Sequence, residues 1–135
     1  MLVPMQLSRV IVSDMNDQRA IYLREVDGKR VFPILIGDFE ASVINRRLLE
    51  ETPYRPMTHD LLHHCVATLG GVIQEVVVTR IEDHTYYAVL RVAHGDELHE
   101  IDCRPSDAVA LAVHKDPSIP ILVDDSVLKQ VSTSS

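Results

Sequence analysis

VIQEVVVTRIEDHTYYAVLRVAHGDELHEIDCRPSDAVALAVH, residues 72–114, decides the fold. Its first part, Val72–Ile81, is rich in β-branched residues and reads as a strand. Thr85–Ala93 alternates, with Tyr86, Ala88, Leu90 and Val92 on one face. Glu97–Cys103 follows the turn His94-Gly95-Asp96. Turns this short predict an antiparallel three-strand meander. Pro105 or Ser106 then starts a helix reaching about His114. Its stretch Ala108–Val113 is apolar all round, so this C-terminal helix belongs inside the core.

Upstream, Met5–Val12, Arg19–Glu25 and Val31–Ile36 read as three strands. Asp14-Met15-Asn16-Asp17 and Asp27-Gly28 supply turns between them. Pro33 cannot donate to a ladder, which places it at an edge or bulge. Asp38 is placed to cap a helix whose apolar positions are Phe39, Val43, Ile44 and Leu48. Glu50–Met57, with Pro53 and Pro56, is a loop. Thr58 is then expected as the N-cap of a second helix. Its buried stripe is expected at Leu61, Leu62, Cys65, Val66 and Leu69, and Gly70-Gly71 ends it. Downstream, Ile121–Val123 reads as a short strand and Ser126–Gln130 as a helical turn. Strands grouped on either side of a helical pair predict a single α+β domain over residues 1–130, with 131–135 as a frayed tail.

At 135 residues the chain has one domain's worth of length and buries roughly two thirds of its unfolded surface without staples. No apolar run is long enough to span a membrane, and Met1–Val12 lacks the pattern of a signal peptide. Cys65 and Cys103 are too few for a disulfide scaffold; both fall in apolar patterns and read as buried thiols in a reducing cytoplasm. The formal charge of −7 is uneven: residues 1–67 carry −1 and residues 68–135 carry −6. That balance disfavours holding nucleic acid by phosphate neutralisation alone.

Chemistry concentrates in three places. Asp102 ends a strand and Asp107 begins the buried helix, with Arg104 between them. Two carboxylates at such a junction suit a divalent metal, and Arg104 suits a phosphate. The bland alternative has Asp107 and Ser106 capping the helix and Arg104 pairing with Asp102. His59 and His63 are i, i+4 on the second helix, with Asp60 between them, as in a two-histidine zinc motif lacking its third ligand. A helical wheel puts both histidines away from the apolar stripe, so a solvated face is the simpler reading. Gly37-Asp38-Phe39-Glu40 opens the first helix, where its acids serve capping, a metal or an arginine. Arg46, Arg47 and Arg55 form the densest basic group. No phosphate-cradling loop, nucleophile elbow or dinucleotide fingerprint is present, and the six aromatics are too scattered for a stacking platform.

Pro33-Ile34-Leu35-Ile36-Gly37 with Glu40-Ala41, then Arg55-Pro56-Met57-Thr58-His59-Asp60-Leu61-Leu62, then Ile101-Asp102-Cys103-Arg104-Pro105-Ser106-Asp107-Ala108, together resemble the bifunctional nuclease domain family. The likeness runs from about Met5 to Leu128, with the three motifs in the family's order. It implies an α+β domain assembled as a homo-oligomer, and nuclease activity on DNA and RNA. Carried onto this sequence, the motif positions are Gly37, Glu40, Thr58, His59, Asp60, Asp102, Arg104, Ser106 and Asp107.

The resulting expectation is a metal-assisted nuclease with no organic cofactor. Asp102 and Asp107, with Glu40 or Asp60, hold Mg²⁺ or Mn²⁺; His59 with Asp60 serves acid–base chemistry; Arg104 binds the scissile phosphate. The alternatives are a non-catalytic oligomeric assembly module, in which the same polar residues are caps and ion pairs, and a phosphometabolite-binding protein clamped by Arg104.

Overall fold

Val76 and Val78 point to one side of their strand, and a face that apolar must be covered. In the computed structural model it is covered by helices. Residues 1–12, 19–37, 41, 44, 55, 57–115 and 118–134 are described. The strands are β1 (Leu2–Val12), β2 (Arg19–Glu25), β3 (Arg30–Ile36), β4 (Gly71–Glu82), β5 (Thr85–His94), β6 (Glu97–Cys103), β7 (Ile121–Asp124) and β8 (Thr133–Ser134). The helices are α1 (Thr58–Thr68), α2 (Pro105–Val113) and α3 (Asp125–Val131). Ala41 and Ile44 are also helical and buried, and the Ala41 N–H donates to the Gly37 carbonyl over 3.0 Å. The expected cap Asp38, with Phe39, Glu40, Val43, Leu48, Arg46 and Arg47, lies outside the described residues.

The described strands form a single sheet in the order β6-β5-β4-β7-β1-β2-β3-β8. The α+β class and the β4-β5-β6 meander are as expected. The N-terminal hairpins and the meander are not separate sheets, however. β7 inserts between them, parallel to β4 and antiparallel to β1. Ile121 and Val123 of β7 are buried, because a strand with neighbours on both sides and helices above it meets no water on that face.

Register gives the covered face. Ala88, Leu90 and Val92 of β5 oppose Cys103, Ile101 and His99 of β6, all on the helix side. Asp102 and Glu100 oppose Val89 and Arg91 on the other side. Bulges in β1 (between Leu7 and Arg9) and in β4 (between Ile73 and Glu75, and Val78 and Arg80) shift the pairing and bend the strands. The sheet curls until β3 and β5, four strands apart in sheet order, touch. The Phe32 and Tyr86 rings lie 5.8 Å apart, and the Tyr86 hydroxyl donates to the Pro33 carbonyl over 3.4 Å. Pro33 itself pairs with Tyr22 on one side, while β8 reaches only Arg30 and Val31 on the other, so the missing N–H falls on an open edge as expected.

α2 is the helical centre. Pro105, Ser106 and Ala108 through Ala112 are buried, and its alanines allow close approach to β4 and β5. α3 starts at Asp124, whose carboxylate accepts the Ser126 N–H over 2.9 Å. Arg30 sits between Glu25 (2.8 Å) and Asp125 (2.9 Å), tying the β2–β3 hairpin to α3.

Three expectations fail. The tail beyond Val131 does not fray as a whole: Thr133–Ser134 pair with β3, whose outer edge otherwise leaves backbone groups unpaired. Thr58 is not the N-cap of α1. Met57 is, and Asp60 at the third helical position accepts its N–H over 2.8 Å. The stripe of α1 does not face the core: Leu61, Leu62, Cys65 and Leu69 are exposed, and His59 is the buried residue.

Candidate functional site

Curling of the sheet opens a cleft of about 620 Å³ at the head of α2. Its walls are the end of β3 from Pro33 to Gly37, the β4–β5 turn from His84 to Tyr86, and Arg104-Pro105-Ser106. Two of the three sequence motifs therefore meet in one place. Arg104 is the extended N-cap residue and Pro105 the first helical residue, a position where a missing N–H costs nothing. Arg104 grips Asp107 with two bonds, Nε to Oδ2 at 2.9 Å and Nη2 to Oδ1 at 3.1 Å. Its partner is thus Asp107, one helical turn on, and not Asp102. The Arg104 side chain is 68% exposed, so water competes for both charges. Ser106 is 6% exposed and also lines the cleft.

Asp102 lies across the sheet from this group, beside Val89 on the face away from the helices, whereas Asp107 sits on α2 above the covered face. The two carboxylates do not converge, and both oxygens of Asp107 are engaged by Arg104. They do not fit one metal ion between them. No group of three His, Cys, Asp or Glu side chains is arranged to hold an ion among the described residues, which do not include Glu40. Cys103 is half-buried beside Asp102 and Asp107; burial first, then the two carboxylates, push its thiol up to about 11. A thiol held neutral in this way is a poor nucleophile.

The cleft holds one residue that the sequence reading passed over. Asp83 and His84 form the β4–β5 turn with φ of +50° and +65°. Asp and His are among the few non-glycine residues enriched there. The turn stands His84 at the mouth of the cleft across from Arg104. The available signal was a two-residue turn without glycine between two clear strands.

The third motif lies elsewhere. His59, Asp60 and His63 of α1 meet His114 at the tail of α2. Their distance from the cleft is the length of a nine-residue helix, about 13 Å. Asp60 accepts from Met57 N–H with one oxygen and pairs with His114 Nε2 through the other. Burial raises the Asp60 carboxyl, but Met57 and His114 together hold it below its usual range. His63 Nε2 donates to the Leu111 carbonyl over 2.8 Å, capping one of the last carbonyls of α2. The His63 and His114 rings stack at 6.4 Å, and His59 lies 6.1 Å from His114. The histidine face is therefore not solvated: His59 is 3% exposed, and the group fastens α1 to α2. Thr58 is exposed at the start of that helix.

A model of the bifunctional nuclease domain family matches residues 21–135. The chain belongs to this family. An uncharacterized protein of Mycobacterium tuberculosis, represented from two strains, is 37% identical over 119 residues. The match covers 88% of this chain and 70% of each relative. Family membership gives the cleft its context, since its walls come from the first and third family-like motifs. No described helix is long and apolar enough to cross a membrane.

The histidine group carries a pH dependence. Burial pushes the His63 imidazolium pKa below its ordinary 6.5. The folded state therefore prefers neutral His63, and the unfolded chain takes up the proton first. Stability is full above about pH 6.5 and falls as pH drops through the lowered folded value. Melting temperature measured from pH 8 to 5 shows this loss, and His63→Gln, which keeps a donor for Leu111, flattens it. An unchanged slope in the variant excludes His63 as the source.

Proposed function

We propose that the chain is a nuclease that binds a nucleic-acid phosphodiester in the cleft at the head of α2. The observation that carries this reading is the meeting of Arg104, Ser106, Gly37 and His84 in one open cleft of a bifunctional nuclease domain. An incoming phosphate competes with Asp107 for the Arg104 guanidinium. That exchange is inexpensive, because an exposed pair of this kind is worth about 1 kcal/mol or less. Arg104 and the N-terminal dipole of α2 then offset charge building on the non-bridging oxygens. His84 exchanges a proton with the attacking water or the leaving oxygen. The apolar cleft wall, Pro33, Leu35 and Tyr86, receives the adjoining base or sugar. A divalent ion at the phosphate supplies Lewis-acid assistance when bound. Asp102 and Asp107 do not form its cage in this arrangement, so no step is routed through it.

The test incubates purified protein with plasmid DNA and with structured RNA, in Mg²⁺, in Mn²⁺ and in chelator, beside an identically purified His84→Ala variant. Wild type cleaves, and the variant loses at least about a hundredfold, the usual scale for a general acid or base. Equal cleavage by both preparations, or cleavage of neither substrate by wild type, ends the proposal. The three metal conditions report independently on the ion.

A further inference from the structure

The stripe of α1 that faces outward has no cover within the described fold. At about 100° per residue, Leu61, Leu62, Cys65 and Leu69 fall within one sector of the helix, beside and not over its buried side of His59, His63 and Val66. Leu61 is 57% exposed, Leu62 45% and Leu69 77%. α1 packs on β4, and α2 packs on β4 and β5. Neither shields β6, where Ile101 on the same side of the sheet is 47% exposed. A groove of about 260 Å³ runs between Leu69 and Val66 of α1 and Val92 and Ile101 of the sheet. The result is an open apolar corner with a helical ridge along one wall.

We propose that this corner is the interface through which two copies of the chain pair, independently of the nuclease reading. Three observations select a second copy as the occupant. First, ridge and groove lie side by side, so a two-fold axis seats each protomer's ridge in the other's groove and buries both at once. Second, the corner presents no charged side chain except at its rim, where His99 pairs with Glu97 at 3.1 Å. A chain of net charge −7 offers other copies of itself few neutral surfaces of this kind. Third, the exposed parts of these side chains, with Val72 and Leu98 at the nearby sheet edge, amount to on the order of 600 Å² per protomer. Two such patches reach about 1,200 Å², the threshold of a stable interface. Glu97, Glu100 and Asp102 along β6 oppose strand-to-strand pairing at that edge, so the protomers join through the corner.

Sedimentation equilibrium and light scattering on the wild type and on Leu69→Glu test this. Leu69 is the most exposed of the stripe, so the substitution leaves the fold's melting temperature in place. The wild type is a dimer, and the variant's dimer dissociation constant rises at least tenfold. Cys65 lies in the same stripe, so in a Cys103→Ser background a short bis-maleimide joins two protomers through it. A monomeric wild type overturns the proposal. So does an assembly of any order that survives Leu69→Glu and forms no Cys65 cross-link.

Discussion

Arg104→Ala lowers kcat/KM for phosphodiester cleavage by about 10²–10³-fold and leaves the melting temperature within a few degrees of wild type. The two halves of this expectation rest on different facts. The activity loss follows from position: Arg104 is the guanidinium in the cleft wall, facing His84 across the opening. Charge on a phosphodiester is greatest in the transition state, and a fixed cation there acts mostly on kcat. The small stability change follows from exposure. The pair with Asp107 is worth about 1 kcal/mol or less, and Asp107 without its arginine still favours the N-terminus of α2. Steady-state kinetics and a thermal melt on the same preparation separate the outcomes. A melting temperature lowered in step with activity makes Arg104 a structural residue, as the assembly-module reading holds. Arg104→Lys restores part of the rate, because it returns the charge without the two-pronged geometry.

Phe32→Ala costs about 3–5 kcal/mol and lowers the melting temperature by roughly 10–20 °C. Phe32 is fully buried and its ring meets Tyr86 across the curl of the sheet. Truncation removes the transfer energy of a large ring and leaves a void that β3 and β5 cannot both close upon. Tyr86 loses its neighbour, and the cleft floor loosens with it. Chemical denaturation gives the energy directly, and Phe32→Leu, which keeps most of the volume, recovers more than half. A loss below 1 kcal/mol in Phe32→Ala shows that β3 and β5 do not pack as described.

What could be read from the chain followed the range of the forces involved. β2, β5 and α2 were legible because local alternation, or its absence, states which sides are buried. The Asp27-Gly28 turn was legible for a partly mistaken reason. Gly28 is needed because the Glu25 carboxylate stands 2.8 Å from where a Cβ would sit, not for a positive φ. α1 misled because its apolar stripe lines an open corner, while hydrogen bonds and ring stacking with α2 made burial of His59 and His63 acceptable. The place of β7 between the two groups of strands depends on pairings far apart in sequence, which no local pattern reports. The site divided for the same reason. Arg104 and Ser106 were found by their motif, but only the curl of the sheet shows that Gly37 and His84 join them, and that His59 and Asp60 do not.

The position of β7 also sets a timetable for the chain's birth. Strands β1 to β3 and β4 to β6 can each fold back on themselves as they leave the ribosome, since their partners are neighbours in sequence. Joining them waits for Ile121–Asp124, late in the chain. Until then each half exposes, on β1 or β4, the edge that β7 will cover. The nascent protein therefore passes through a stage with two unjoined sheets and two adhesive borders, when a chaperone has most to shield.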